Sequence, residues 1–433
     1  MTLDRERKKW TMDKLISAVR TYAWGSTTAI PNLVGAEPTG EPQAELWVGA
    51  HPSAPSLLVS SGMPLTEAIA ADPRAALGPA VAARGGRLPY LMKVLAAAEP
   101  LSLQVHPTRA QAAAGYAREE AQGPAPDSPT RNYKDDQHKP EMILALTPFD
   151  ALSGFRDPAE SAQAFRWLAA EVSEPGASAA AVRVAEALEN QDAAAGLREA
   201  TTALLSDDPD VKRLAVLGPD RIEALILAVA AGSSAEHPGR IDAALPLLPR
   251  LARTHPGDTG VLLALLLNLV RLAPGEAMSL PAGNIHAYLE GVGVEIMANS
   301  DNVLRGGLTR KHVDVPELLK IVDFCAVTPR RVMPFDPVPG LQLYLSGFDE
   351  FDLARLTHTE APVRLPGDGP AEVLVVDGSL TLTAEDGSQL RLERGDTAFV
   401  PASDEPVMAQ GSIDVDAYIA VTDLGAYVDQ TGL

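Results

Sequence analysis

The residues best equipped for chemistry lie on one short alternating stretch, Leu101-Ser102-Leu103-Gln104-Val105-His106-Pro107. On a strand, side chains repeat every second position, so Ser102, Gln104 and His106 project together while Leu103 and Val105 point into a core. An amide oxygen and an imidazole nitrogen are two neutral donors suited to half of a metal site, which still needs an anionic carboxylate and a further nitrogen. Taken alone, the stretch reads more readily as a strand with a polar solvent face. The metal reading depends on finding the other donors.

A carboxylate is available in Asp135-Asp136-Gln137-His138-Lys139-Pro140-Glu141. Pro140 disfavours helix at Lys139, so the segment should be extended, with Lys139 and Glu141 on one face. A further nitrogen comes from Gly275 to His286, where the spacing is G, five residues, P, one residue, G, two residues, H. This resembles the second sequence motif of the cupin superfamily, in which a tight turn, here around Pro281 and Gly283, delivers a histidine to the inner face of a jelly-roll strand. Alternation then places Tyr288 beside His286. Downstream, Arg305, Arg310, Lys311 and His312 gather around the pair Gly306-Gly307, a local basic concentration of the kind a phosphate ester requires. Lys93, the one charge on an apolar strand from Leu88 to Leu95, either snorkels to solvent or meets a substrate anion.

The elements that must position these residues show in the texture of the chain. It has 433 residues, 46% of them hydrophobic and 21% charged, enough for about two to four domains. A formal net charge of -21 repels nucleic acid and anionic membrane surfaces, so an anionic substrate needs a local basic cluster. The single Cys325 excludes an intramolecular disulfide, and the charged start from Met1 to Lys14 predicts a cytoplasmic protein without a signal peptide. The most apolar run, Val261 to Val270, is too short to span a membrane and is interrupted by Asn268.

Strands are expected around Ile16 to Gly25, ending in Tyr22-Ala23-Trp24-Gly25, and around Ala44-Glu45-Leu46-Trp47. A helix is expected from Thr108 to Gln122. From Asp157 to about Ala273 the chain is rich in Ala and Leu, and runs such as Ala181 to Leu188, Arg221 to Ala231 and Thr259 to Leu272 have helical periodicity. His237 and His255 in this tract, each beside a proline, read as surface residues. Strand character returns at Gly275, and the tail beyond Pro334 repeats the G, five residues, P spacing at Gly395 to Pro401 with no histidine after it. The expected fold class is mainly β with an α-helical insertion. It comprises a catalytic jelly roll over 1–156 completed by 274–325, a helical insertion over 157–273, and a metal-free jelly roll over 326–433.

Six stretches together, Tyr22-Ala23-Trp24-Gly25, Ala44-Glu45-Leu46-Trp47, Leu101 to Pro107, His138-Lys139-Pro140-Glu141, Gly283-Asn284-Ile285-His286-Ala287-Tyr288 and Ser300 to Thr309, resemble the type I mannose-6-phosphate isomerase family. The resemblance implies two cupin-type jelly-roll barrels with a helical domain and one Zn2+ per chain. It places Gln104, His106, Glu141 and His286 on the family's metal-ligand positions and Arg305 on its active-site arginine. It further implies a sugar-phosphate substrate, a role in mannose and GDP-mannose metabolism, no nucleic-acid or membrane partner, and a monomer or weak homodimer.

Aldose–ketose interconversion moves one proton between adjacent carbons and one between adjacent oxygens, through an enediol whose developing negative charge must be stabilised. Glu295, Asp301, Lys139 and His138 are the candidate proton carriers, beside Arg305. Ser102, Lys93, Lys311, Tyr288 and Trp24 are the candidate substrate contacts. Two other readings compete. A metal-dependent cupin oxygenase usually carries three histidines and a glutamate, where this chain has Gln104. A non-catalytic sugar-binding cupin explains the fold but not the clustered acids, bases and cations.

Overall fold

A computed structural model describes residues 10–230 and 244–424, and its sheets and helices stack as layers. Two sheet layers enclose the residues singled out above, and one long strand, His286–Ala298, belongs to both. Its first half pairs with Leu103–Val105 and Phe149–Phe155, and its second half with Tyr90–Ala97 and Glu141–Ala145. The strand changes layer at Gly291, whose φ is +126° and where a Cβ would lie 2.7 Å from the Pro148 carbonyl oxygen. Only glycine allows so close a crossing without strain.

Outside the first layer sit the helices, including Pro158–Glu171, Pro175–Leu188, Ala193–Leu204 and Pro209–Ala230. Their apolar faces form one core with Leu103, Val105, Leu152, Ile285 and Leu304. Leu103 and Val105 are therefore buried against helices, which turns Gln104 inward as alternation requires. The second layer packs its outer residues, among them Tyr90, Met92, Leu144 and Ile296, against Leu353, Leu374, Phe399 and Tyr418 of an eight-stranded sheet in the C-terminal region. That sheet covers a four-stranded sheet across a second apolar core.

The helix Arg109–Gln122 begins where expected, with Thr108 and Gln111 forming a capping box. Three segments differ from the sequence reading. Residues 267–272, expected to be helical, form the strand Leu267–Leu272 paired with Phe149–Phe155. A run apolar on nearly every position carries no period that separates strand from helix. Asn268 supports the strand: its Nδ2, with two hydrogens to give, lies 2.9–3.1 Å from the carbonyls of Ser153, Gly154, Phe155 and Val327. The strand Asp13–Ile16, placed by sequence in the first jelly roll, lies in the eight-stranded sheet between Thr397–Val400 and Leu57–Leu58. Conversely, Arg330–Val332, counted with the tail, pairs with Ala277–Leu280 in the first unit. Strand pairing is settled by partners far along the chain, which local pattern does not show. His237 lies outside the described residues, and His255 is half-buried.

Candidate active site

Register places the central residues in a row. Gln104 is the cross-strand partner of His286 on one side and of Arg305 on the other, so three adjacent strands present these side chains to the same interior. The turn before His286 is tied back to the row by the Gly283 N–H, which donates to the His106 carbonyl at 2.8 Å. Glu141 enters from the opposite layer as the first residue of Glu141–Ala145.

His106, Glu141 and His286 are all buried, and each offers a donor atom within 4.8 Å of the other two. The His106 Nδ1 lies 2.6 Å from the Asn302 carbonyl and the His286 Nδ1 lies 3.0 Å from the Asn284 carbonyl. A carbonyl only accepts, so both Nδ1 atoms carry the proton, and on a neutral ring Nε2 is left with a lone pair. Burial pushes the His106 imidazole down to about 4, which keeps it neutral. Those lone pairs face carboxylate oxygens: His106 Nε2 is 3.2 Å from Glu141 Oε1, and His286 Nε2 is 3.1 Å from Glu141 Oε2. His106 Nε2 and Glu141 Oε2 make no hydrogen bond. Acceptors turned on one another at this distance, in a buried site, repel unless a cation lies between them. Gln104 Nε2 is 3.3 Å from His286 Nε2, and a half-turn of its amide presents Oε1 to the same point. The donor set, two imidazoles with fixed tautomers, one carboxylate and one amide, fits a divalent metal.

Beside it runs a buried charge network. Lys93 does not snorkel: its Nζ lies 2.5 Å from Glu295 Oε2 and donates to Glu45 Oε1 at 3.1 Å, while Trp47 Nε1 donates to Glu45 Oε2 at 2.8 Å. Burial would lower the Lys93 ammonium, but Glu295 and Glu45 outweigh it and hold the group charged. Burial pushes the Glu295 carboxyl up against the pull of Lys93. Lys139 Nζ lies 2.8 Å from Glu141 Oε1, the carboxylate buried and the lysine side chain 12% exposed. Burial raises the Glu141 carboxyl, yet the Lys139 ammonium outweighs it and keeps it well below the usual range. Tyr288 is buried beside His286, and its hydroxyl has no hydrogen-bond partner among the described residues.

The remaining predicted residues divide. Arg305 is half-buried and, among the described residues, has neither an ion pair nor a side-chain hydrogen bond, and burial alone lowers its guanidinium from the ordinary value. Lys311 stands 5.8 Å from the Tyr22 ring, which stacks on Trp24. Burial and Arg305 lower its ammonium. Ser102 is half-buried next to Leu103–Val105. Asp301 reaches His51, with Oδ1 3.4 Å from His51 Nε2. His138 is engaged elsewhere: its Nε2 is 2.7 Å from Glu350 Oε1 and 2.9 Å from Arg109 Nη2. The extended backbone turns His138 to the face opposite Lys139 and Glu141.

Sequence reasoning missed Asn302, Glu45, His51 and Arg20. Asn302 is fully buried, accepts from Lys134 N and Asp135 N, and donates to the carbonyls of Asp135 and Gln137, so it holds the loop whose carbonyl orients His106. Nothing local marks an asparagine in a polar loop for such a role. Arg20, cross-strand from Glu45, lies over the rings of Trp47 and Tyr22 at 5.0 and 5.7 Å with no carboxylate partner among the described residues.

Comparisons with known proteins identify the family. Residues 12–158 match the model of the phosphomannose isomerase type I catalytic domain. The chain is 38% identical over 405 residues to the mannose-6-phosphate isomerase of Escherichia coli (strain K12), covering 92% of this chain and 97% of that protein. It is 33% identical over 418 residues to the mannose-6-phosphate isomerase of Bos taurus, covering 90% and 93%. A crystal structure of mannose 6-phosphate isomerase with zinc bound superposes with a TM-score of 0.83 at 35% identity, covering 96% of this chain and 100% of that one. Identity sustained at this level over nearly the full length of both chains, together with the shared fold, means that the chain belongs to the type I phosphomannose isomerase family.

Proposed function

We propose that the chain interconverts mannose 6-phosphate and fructose 6-phosphate by proton transfer through an enediol, with zinc held by Gln104, His106, Glu141 and His286. The observation that carries this reading is the facing of neutral imidazole lone pairs and carboxylate oxygens in a buried interior, where a cation is required. When bound, zinc supplies a Lewis acid that stabilises negative charge on the sugar oxygens. The chain's own residues do the rest. Asn302 and the Asn284 carbonyl hold the two imidazoles in orientation. Arg305, next in the row to Gln104 and, among the described residues, uncommitted to any carboxylate, is placed to meet charge that develops on the sugar. Lys311, Tyr22 and Trp24 form a cationic and aromatic rim suited to a sugar phosphate.

For the proton carrier, Asp301 and Glu295 have contrasting surroundings. Asp301 is exposed at its tip; burial would raise its carboxyl, but His51 outweighs this and holds it low and ionised. Glu295 is locked to Lys93. Asp301 is thus the better base, and Glu295 a group that sets the charge on Lys93. We further read the two sheet pairs as cupin jelly rolls, with the three-part division 1–156 plus 274–325, 157–273 and 326–433 as its outline. The chain would act as a cytoplasmic monomer or weak homodimer supplying GDP-mannose synthesis.

The test is a coupled assay of the purified chain with mannose 6-phosphate before chelation, after it, and after zinc add-back, with metal content measured in parallel. Turnover should vanish with about one zinc per chain and return with it. Full turnover in metal-free protein would overturn the reading. Arg305→Ala should lower kcat far more than it raises KM, and Arg305→Lys should recover only part of the rate.

A further inference from the structure

Arg305 presents a positioning problem. Among the described residues no side chain holds it, so its aim depends on its backbone. The strand Leu304–Gly307 is short and, among the described residues, pairs on one side only, with Leu103–Val105, through a register shift between Arg305 and Gly307. A four-residue strand interrupted by a bulge is weak support for a residue that must be placed to within about half an ångström.

The support comes from the end of the helical tract. Asp258 Oδ1 accepts from the Gly260 N–H at 2.7 Å, and Asp258 Oδ2 accepts from the Thr309 N–H at 3.0 Å. Between these bonds the two backbones touch. A Cβ on Gly307 would lie 2.6 Å from the Gly260 Cα, and a Cβ on Gly260 would lie 2.8 Å from the Gly307 Cα. Leu308, at the centre of the contact, has a φ of +52° and is the one non-glycine residue with positive φ among the described residues. Its side chain is 1% exposed and sits in the helical core with Val261, Leu262 and Leu263. A left-handed leucine persists only where its surroundings hold it.

We propose that Asp258 is a positioning residue that clamps the 307–309 loop to the helical tract and thereby fixes the backbone from which Arg305 reaches the substrate. This rests on the isomerase reading above and gives the helical insertion a task in catalysis. An aspartate suits it because two carboxylate oxygens accept two N–H groups at once, whereas an asparagine has one oxygen for the pair.

The experiment compares Asp258→Asn in the full, zinc-loaded chain and in an Arg305→Ala background, with amide hydrogen exchange at Thr309 and metal content read in each. In the parent, Thr309 should be protected, and Asp258→Asn should remove that protection. Losing one charge-assisted hydrogen bond from the clamp should lower kcat about tenfold with KM little changed. In the Arg305→Ala background the same substitution should cost nothing further, because the residue it acts through is gone. An equal fold-loss in both backgrounds, or an unchanged kcat alongside lost protection, would overturn the proposal. A parent that protects Thr309 but turns over no sugar refutes the isomerase reading and not the clamp. An active parent with Thr309 unprotected refutes the clamp and not the reading.

Discussion

The two sheet-enclosed interiors of this molecule are built from similar antiparallel layers and filled in opposite ways. The first contains Glu45, Lys93, Glu141 and Glu295 with His106 and His286, all buried. The second is lined by Leu341, Leu356, Val373, Leu380, Leu382, Leu392 and Ile419, with no charge among them. In the first interior each charged group has a counter-charge or a shared donor set. At the margin of the second, facing the seam between the units, Glu372 is fully buried with no ion pair among the described residues, and burial pushes it far above the carboxylate range. Buried acids thus follow two courses: Glu295 is held in an ion-paired network, and Glu372 is neutralised. An interior of the first kind is a place for chemistry, and an interior of the second kind is a source of stability.

The sharpest way to break this comparison is to remove a donor. His286→Ala should abolish zinc retention and lower turnover by about a thousandfold or more. Metal analysis showing the parent's zinc content would contradict the role given to the first interior. Next, Lys93→Met leaves Glu45 and Glu295 buried without their cation and should cost about 3–5 kcal/mol in urea unfolding. A variant as stable as the parent would mean that the network is not mutually dependent.

In the second interior Leu382→Ala should cost about 2–4 kcal/mol through the cavity it leaves, while kcat stays at the parent's value. Lost activity in a folded protein would show that the two interiors are coupled. The smallest effect concerns pH. Burial pushes the Glu405 carboxyl up to about 7. Because its folded value is raised above the ordinary one, its contribution to stability is complete below about pH 4.5 and is lost as pH rises through 7. Glu405→Gln should flatten that decline by about 1 kcal/mol, less than the full shift implies because the side chain is partly hydrated. Parallel stability–pH curves for the two proteins would remove Glu405 from the account.

How much of this was legible in the sequence depended on whether a residue's role is local. Gln104 and His106 were readable because strand alternation alone puts them on one face, and the helix beginning near Thr108 because its residues are local helix formers. Asn302 and Asp258 were not. Asn302 works on Lys134 and Asp135, and Asp258 on Thr309, partners that no periodicity brings together. His138 shows the converse, since its type and neighbourhood suggested chemistry while Glu350, more than two hundred residues away, holds it. The inward orientation of Lys93 was equally hidden, because the same apolar strand serves a snorkelling lysine and a buried one.

The strand Asp13–Ile16 has a consequence for how the molecule is made. Its partners are Leu57–Leu58 and Thr397–Val400, with Asp13 opposite Phe399. A ribosome adding about 5–20 residues per second delivers that second partner roughly 20–80 s after the strand itself emerges. Throughout that interval Leu15 and the open backbone edge beside it lack their cover, an invitation to pair with a neighbouring nascent chain. A strand made early is thus among the last to be closed, and a chain cut short before residue 397 lacks the partner that would close it.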